Sequence, residues 1–233
     1  MPAKTPKNTS SIPTHIGYIV DGNRSWAKKQ GITKDAHRYG ADAAYNIAKT
    51  TIKSGVKFAT FYIFSTENWH RPVEEVTYLM NLFVNYFEEK ADELHRENIK
   101  VVFLGSRDRL SKKSLRVIDE TEELTKDCTA GTVCLCFNYG GHQEIANAAT
   151  SAAQKGITEF TPDIISDHIY HPEIPPVDLV VRTGGELRLS GFMLWRVAYA
   201  ELLFLDQCWP ELTDDSVTEI LAEFARRTRR FGR

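Results

Sequence analysis

Six short apolar runs separated by longer amphipathic stretches predict an α/β protein, a single domain with a six-stranded, mostly parallel sheet surrounded by helices. Two further observations point the same way. The 233-residue chain is 42% apolar, enough for one sizeable core, and no linker-like composition divides it. The polar residues able to do chemistry follow directly after the strand-like runs, at the edge where open parallel sheets bind their ligands.

Residues 1–14, MPAKTPKNTSSIPT, are polar and contain three prolines, so they are expected to form a flexible lead-in to a domain spanning 15–233. The expected strands are IGYIV (16–20), FATFYIFS (58–65), VVFLG (101–105), TVCLCFN (132–138), DLVVR (178–182) and ELLFL (201–205). Between the second and third, Val76, Leu79, Met80, Phe83, Tyr86, Phe87, Ala91 and Leu94 recur at three- and four-residue steps and predict one long helix with an apolar stripe. Core packing explains such a stripe, and its Met and aromatic content also suits the wall of an apolar tunnel.

A formal charge of −2, with basic and acidic residues mixed along the chain, gives no footprint for nucleic acid. Cys128, Cys134, Cys136 and Cys208 show neither a C-x-x-C nor a zinc-like spacing, and read as reduced thiols of a cytoplasmic protein. No run of 18 apolar residues occurs, which leaves open peripheral work at a membrane surface.

Asp21-Gly22-Asn23-Arg24 follows the first strand, STENWHRP (65–72) the second, NYGGH (138–142) the fourth and RTGGELRLS (182–190) the fifth. In the first loop Gly22 lets backbone N–H groups approach an anion, and the following helix start favours negative charge. Asp21 fits beside phosphate when a Mg²⁺ ion bridges the two. In the fifth-strand loop Arg182 and Arg188 can fork onto phosphate oxygens and Ser190 can donate a hydrogen bond. Alone, Asp-Gly is an ordinary turn and each arginine a surface residue. Together, two anion-binding loops and an apolar wall suggest two phosphorylated, greasy substrates.

The segments DGNRSWAKK, HRYGADA, FYIFSTENWHRP, NYGG, RTGGELRLSGFMLW, AYAEL and RRFG, spread over residues 14–232, resemble the cis-prenyltransferases, the family of undecaprenyl diphosphate synthase. The resemblance implies a homodimer whose six-stranded sheet and helices enclose a hydrophobic tunnel. It implies a Mg²⁺-dependent condensation of isopentenyl diphosphate with an allylic prenyl diphosphate, giving a (Z)-polyprenyl diphosphate of the undecaprenyl carrier-lipid type. By the same resemblance Asp21 is a catalytic metal ligand, and Gly22, Asn23, Arg24, Ser25 and Trp26 form the loop around the allylic diphosphate. His37 and Arg71 lie near that diphosphate. Ser65 and Asn68 form the polar pair at the reacting centre, with Trp69 beside them. Arg182, Arg188 and Ser190 match the isopentenyl diphosphate site, Glu201 a second carboxylate supporting metal, and Gly232 the terminal R-x-G element that reaches a partner's site.

Two departures stand out. Ser25 occupies the place of a usual arginine, and the stretch between Trp26 and His37 is one residue short around Lys34. Ile63 stands where long-chain members carry alanine, so a shorter product is an expectation. An irregular, lavandulyl-type coupling of two allylic units and a weakly active prenyl-diphosphate-binding subunit stay open as alternatives. The sequence has no DDxxD motif, and Asp214-Asp215 after Thr213 reads as the acidic first turn of a helix.

Overall fold

Apolar runs, buried on both sides along most of the sheet, form the strands β1 (His15–Ile19), β2 (Phe58–Ser65), β3 (Ile99–Leu104), β4 (Gly131–Tyr139), β5 (Leu179–Arg182) and the partly exposed edge strand β6 (Glu201–Phe204) in the computed structural model, which describes residues 12–32 and 35–227. They make a parallel sheet in the order β3-β4-β2-β1-β5-β6. All six expected strands are present. β3 starts two residues earlier than the VVFLG run because Ile99 is buried and pairs with Gly131.

The helices are α1 (Asn23–Lys29), α2 (Ala36–Lys53), α3 (Val73–Arg96), α4 (Lys112–Thr125), α5 (Gly141–Gln154), α6 (Pro162–His168) and α7 (Asp214–Arg226). Ile47 and Ile52 of α2, Phe83 and Phe87 of α3, Val117 and Ile118 of α4, and Val217 and Ile220 of α7 pack on one sheet face. The stripe on α3 is therefore core-facing as expected. Asp214 and Asp215 begin α7, in keeping with an acidic first turn.

The opposite face is covered differently. Beside α5 and α6, an irregular stretch contributes Ile174, Val177, Phe192, Met193 and Val197 against Ile19, Tyr62, Val102, Leu104, Cys134 and Cys136. Ser190 and Met193 hold positive φ there, a conformation no helical or strand period announces. Cys128, Cys134, Cys136 and Cys208 are all free and buried, and burial pushes the Cys134 thiol up to about 12.

β1 connects outward to β2 on one side, while β5, its neighbour on the other side, connects outward to β6. This reversal opens a crevice beyond the carboxyl ends of β1 and β5.

At the other end of β1, His15 is fully buried, with Nδ1 2.8 Å from the Pro175 carbonyl and Nε2 2.7 Å from Thr60 Oγ1. Burial lowers its imidazole from 6.5 to about 4, partly opposed by the Pro175 hydrogen bond. Between those values the unfolded chain binds a proton that the folded chain refuses. Stability is therefore full above pH 6.5 and falls as pH drops toward 4, by about 3 kcal/mol. Urea midpoints measured across that window should decline in the wild type and decline less in His15→Gln; parallel declines would remove His15 as the cause.

Candidate active site

Asp21 leaves β1 at the crevice and is pinned from both sides. Its backbone N–H donates to Thr183 Oγ1 (3.0 Å), and the Thr183 hydroxyl donates to the Asp21 carbonyl (2.7 Å). Its carboxylate accepts from the Gly22 N–H (2.7 Å) and from Arg182 Nη2 (2.8 Å). The Arg182 side chain is 4% exposed, whereas that of Asp21 is 41% exposed, so the pair presents a carboxylate to solvent from a buried cation. Arg182 also donates to Ser190 Oγ (2.9 Å) and to the Arg188 carbonyl, while its Nε is buried without a hydrogen-bond partner. The first and fifth loops thus meet through Asp21, Arg182, Thr183 and Ser190. The Arg188 side chain is 59% exposed and pairs with Glu186 at the rim.

Gly22 caps α1 at φ 100°, and a Cβ there would lie 2.9 Å from Cys208 Cα. Only glycine fits both the left-handed backbone and the close approach. Asn23 packs against Gly40, where any Cβ would collide with its side-chain oxygen, and that oxygen is buried without a partner. Ser25 is exposed, and Trp26 packs against Tyr39 with ring centroids 5.0 Å apart and ring planes tilted by 56°, at the surface of the α1–α2 pair.

A second centre forms around Glu75 in the first turn of α3. Its Oε1 lies 2.9 Å from Arg71 Nη1, 3.8 Å from Arg24 Nη1 and 3.9 Å from His37 Nε2. Three groups from three segments converge on one carboxylate oxygen, which marks a place for anionic oxygen. Burial first, and the Arg71 charge second, lower the His37 pKa, with Glu75 opposing them. Glu75 and Thr183 did not stand out in the sequence. The i, i+4 spacing from Arg71 to Glu75 is the one local signal that could have found the former.

After β2, a 3₁₀ turn (Thr66–His70) carries the polar pair. Asn68 Oδ1 accepts from the Ser65 N–H (3.0 Å), so these side chains also cap the turn that presents them. Trp69 donates Nε1–H to Asn138 Oδ1 (2.8 Å) and lies beneath the Arg109 guanidinium, 4.4 Å from its ring centroid. Asn138 in turn donates to the Ser106 and Asp108 carbonyls, so the segments after β2 and β3 are tied to the carboxyl end of β4.

Between the sheet and helices α2 and α3 lies a cavity of about 140 Å³. Asn23 and His37 line its polar end; Phe61, Ile63 and Leu135 of the sheet and Leu79, Phe83 and Phe87 of α3 are among its apolar walls. The tunnel-wall expectation for α3 therefore holds for these residues and for Tyr86 and Leu94. Met80 and Val76 instead pack on the core, and Ala91 is not part of the lining. Ile63 projects into the cavity wall two residues before Ser65, as its sequence position suggested.

Glu201 lies apart from the Asp21 centre within one chain. It begins β6 in register with Leu179, at the amino end of the strands, and its carboxylate pairs with Arg227 Nη1 at 3.2 Å. Asp21 follows the carboxyl end of β1, so one chain does not bring these two carboxylates to one ion. Gly232, with the rest of the R-x-G element, and Lys34 lie outside the described residues.

Comparison with known proteins gives the family. The family described as "Putative undecaprenyl diphosphate synthase" matches residues 19–232. An isoprenyl transferase of Neisseria gonorrhoeae is 41% identical over 225 residues, covering 96% of this chain and 91% of the relative. The ditrans,polycis-undecaprenyl-diphosphate synthase ((2E,6E)-farnesyl-diphosphate specific) of Haemophilus ducreyi is 40% identical over 230 residues, covering 96% and 95%. The crystal structure of lavandulyl diphosphate synthase from Lavandula x intermedia in complex with dimethylallyl diphosphate superposes with a TM-score of 0.89 at 27% identity, covering 96% of this chain and 99% of that one. Sequence, fold and site geometry thus converge, and the chain belongs to the cis-prenyltransferase family, the prenyltransferase enzymes of the undecaprenyl diphosphate synthase type.

Proposed function

We propose that this enzyme condenses isopentenyl diphosphate with an allylic prenyl diphosphate to give a (Z)-polyprenyl diphosphate. The observation that carries this reading is the cavity whose polar end is lined by Asn23 and His37 and whose remaining walls are apolar. It suits a diphosphate head with a hydrocarbon tail. Arg24, Arg71 and His37 hold the allylic diphosphate, and Arg182, Arg188 and Ser190 hold isopentenyl diphosphate. Cleavage of the allylic C–O bond releases diphosphate, the isopentenyl alkene forms the new C–C bond, and loss of a proton sets the Z double bond. The arginines stabilise the charge that develops on the departing diphosphate. Ser65 and Asn68 orient the isopentenyl unit beside the cavity mouth, and Trp69 shields that side from water.

Asp21 is the residue that would hold Mg²⁺. It is a half-exposed carboxylate at a strand end, and among the described residues no three His, Cys, Asp or Glu side chains converge. The hard carboxylate oxygen of Asp21 fits a hard divalent cation. When bound, the ion supplies positive charge to the diphosphate. The reading includes a homodimer, a cytoplasmic location with peripheral membrane contact through the lipid product, and a carrier-lipid product. The name of the Haemophilus relative supports the last of these. Among the described residues no helix is long and apolar enough to cross a membrane.

Incubation with Mg²⁺, labelled isopentenyl diphosphate and a series of allylic primers tests the reading; no chain extension from any primer would overturn it. The fit to lavandulyl diphosphate synthase favours a second reading, the coupling of two allylic units. Product formed from dimethylallyl diphosphate alone would select that one. Ile63→Ala should lengthen the products by widening the cavity wall, with primer KM changed by less than about twofold, because the Ile63 side chain is apolar and has no hydrogen bond to offer a diphosphate. Chromatography of the products checks this, and an unchanged length distribution would place the limit elsewhere.

A further inference from the structure

The outer wall of the cavity is the seam between α2 and α3, and two tyrosines cross it in opposite directions. Tyr86, on α3, donates its hydroxyl to the Ala41 carbonyl of α2 at 3.0 Å. Tyr45, on α2, donates to Glu93 Oε2 of α3 at 2.8 Å. Both line the cavity. Each ring also meets cations. The Arg38 guanidinium lies 5.0 Å from the Tyr86 centroid, and Lys49 and Lys90 lie 5.0 and 5.3 Å from that of Tyr45. These cations belong to a polar ladder joining the two helices, in which Arg38 pairs with Glu89 (2.9 Å) and Lys49 with Glu97 (2.6 Å). The rings are thus panes between an apolar cavity and a charged, solvent-facing seam.

We propose that Tyr45 and Tyr86 close the cavity along the α2–α3 seam and set the length of hydrocarbon the enzyme accepts and makes. This rests on the prenyl-elongation reading above. A tail that grows to the panes can go further only by displacing a hydrogen-bonded ring and placing methylenes among charged groups. That loses the gain from burying them, so growth stops there. Ile63 narrows the cavity from the sheet side; the tyrosines close it from the helix side.

Two measurements test the proposal on Tyr86→Ala, Tyr45→Ala and the corresponding Phe variants, each checked for folding by circular dichroism and thermal melting. The first is product length. The second is the affinity for unreactive, saturated n-alkyl diphosphates of increasing length. Each added methylene should tighten binding roughly fourfold until the tail reaches the rings. In the wild type and the Phe variants, which keep the panes, affinity should stop rising at the same length. In the Ala variants it should continue to rise, and products should lengthen. Should an Ala variant not fold, Tyr86→Leu serves, since leucine fills part of the space without reaching Ala41. Unchanged affinity plateaus and unchanged products in folded Ala or Leu variants would overturn the proposal. Failure of the wild type to extend any primer overturns the elongation reading instead, and the alkyl diphosphate series still decides whether the rings close the cavity.

Discussion

Asp21→Asn is expected to lower kcat/KM by about 10³-fold, since a metal-binding carboxylate supplies several kcal/mol of charge stabilisation to the departing diphosphate. Asparagine is the better test than alanine. Alanine would strip the partner from a nearly buried Arg182 guanidinium, mixing a folding defect with the catalytic one. Asparagine keeps one oxygen, which can accept from Arg182, while its NH2 replaces the oxygen that accepted from the Gly22 N–H, so one hydrogen bond is lost; the Thr183 contacts to the Asp21 backbone do not involve the side chain at all. Its stability cost should therefore stay near 1 kcal/mol, the more so because the carboxylate is 41% exposed and screened by water. Steady-state kinetics across a Mg²⁺ titration, paired with a thermal melt, separates the two effects. A variant that folds normally and keeps more than about a tenth of wild-type activity would remove Asp21 from the metal role.

The strands were legible because a parallel strand buried on both sides is a continuous apolar run, and the runs of β1, β2, β4 and β5 ended on the polar residues that define the site edge. The α3 helix was legible by its stripe. What the chain hid are features without a local period. The cover on the second sheet face runs through positive-φ positions at Ser190 and Met193 and reads as loop from sequence alone. Glu75 gathers Arg24, His37 and Arg71 from separate segments, and only the fold brings these together. The separation of Glu201 from Asp21 within one chain was hidden too: Glu201 sits at the start of its strand, while Asp21 follows the end of a parallel one. The resemblance supplied residue roles, but it could not reveal that Asn68 and Ser65 cap their own turn, or that Trp26 packs on Tyr39.

Arg182 and Arg188 look equivalent in the sequence, yet their replacement by alanine should have different consequences. Arg188 stands at the rim with a 59% exposed side chain paired to Glu186, and its backbone carbonyl, which accepts from Arg182, survives the substitution. Arg188→Ala should therefore raise the KM for isopentenyl diphosphate by about 10- to 100-fold, the worth of one charged hydrogen bond, and leave kcat nearly unchanged. Arg182 is buried and holds Asp21 Oδ2 and Ser190 Oγ at once. Its removal frees the carboxylate and unpins the fifth loop, so kcat should fall together with the rise in KM, and kcat/KM should drop by about 10³-fold. Arg182→Lys should not rescue, because a single ammonium cannot span the two partners as a planar guanidinium does. Measuring KM and kcat for all three variants, each verified by thermal melting, decides the matter. Equal phenotypes for the two alanine variants, or recovery by Arg182→Lys, would mean that Arg182 acts only as a positive charge and not as the clamp between the first and fifth loops.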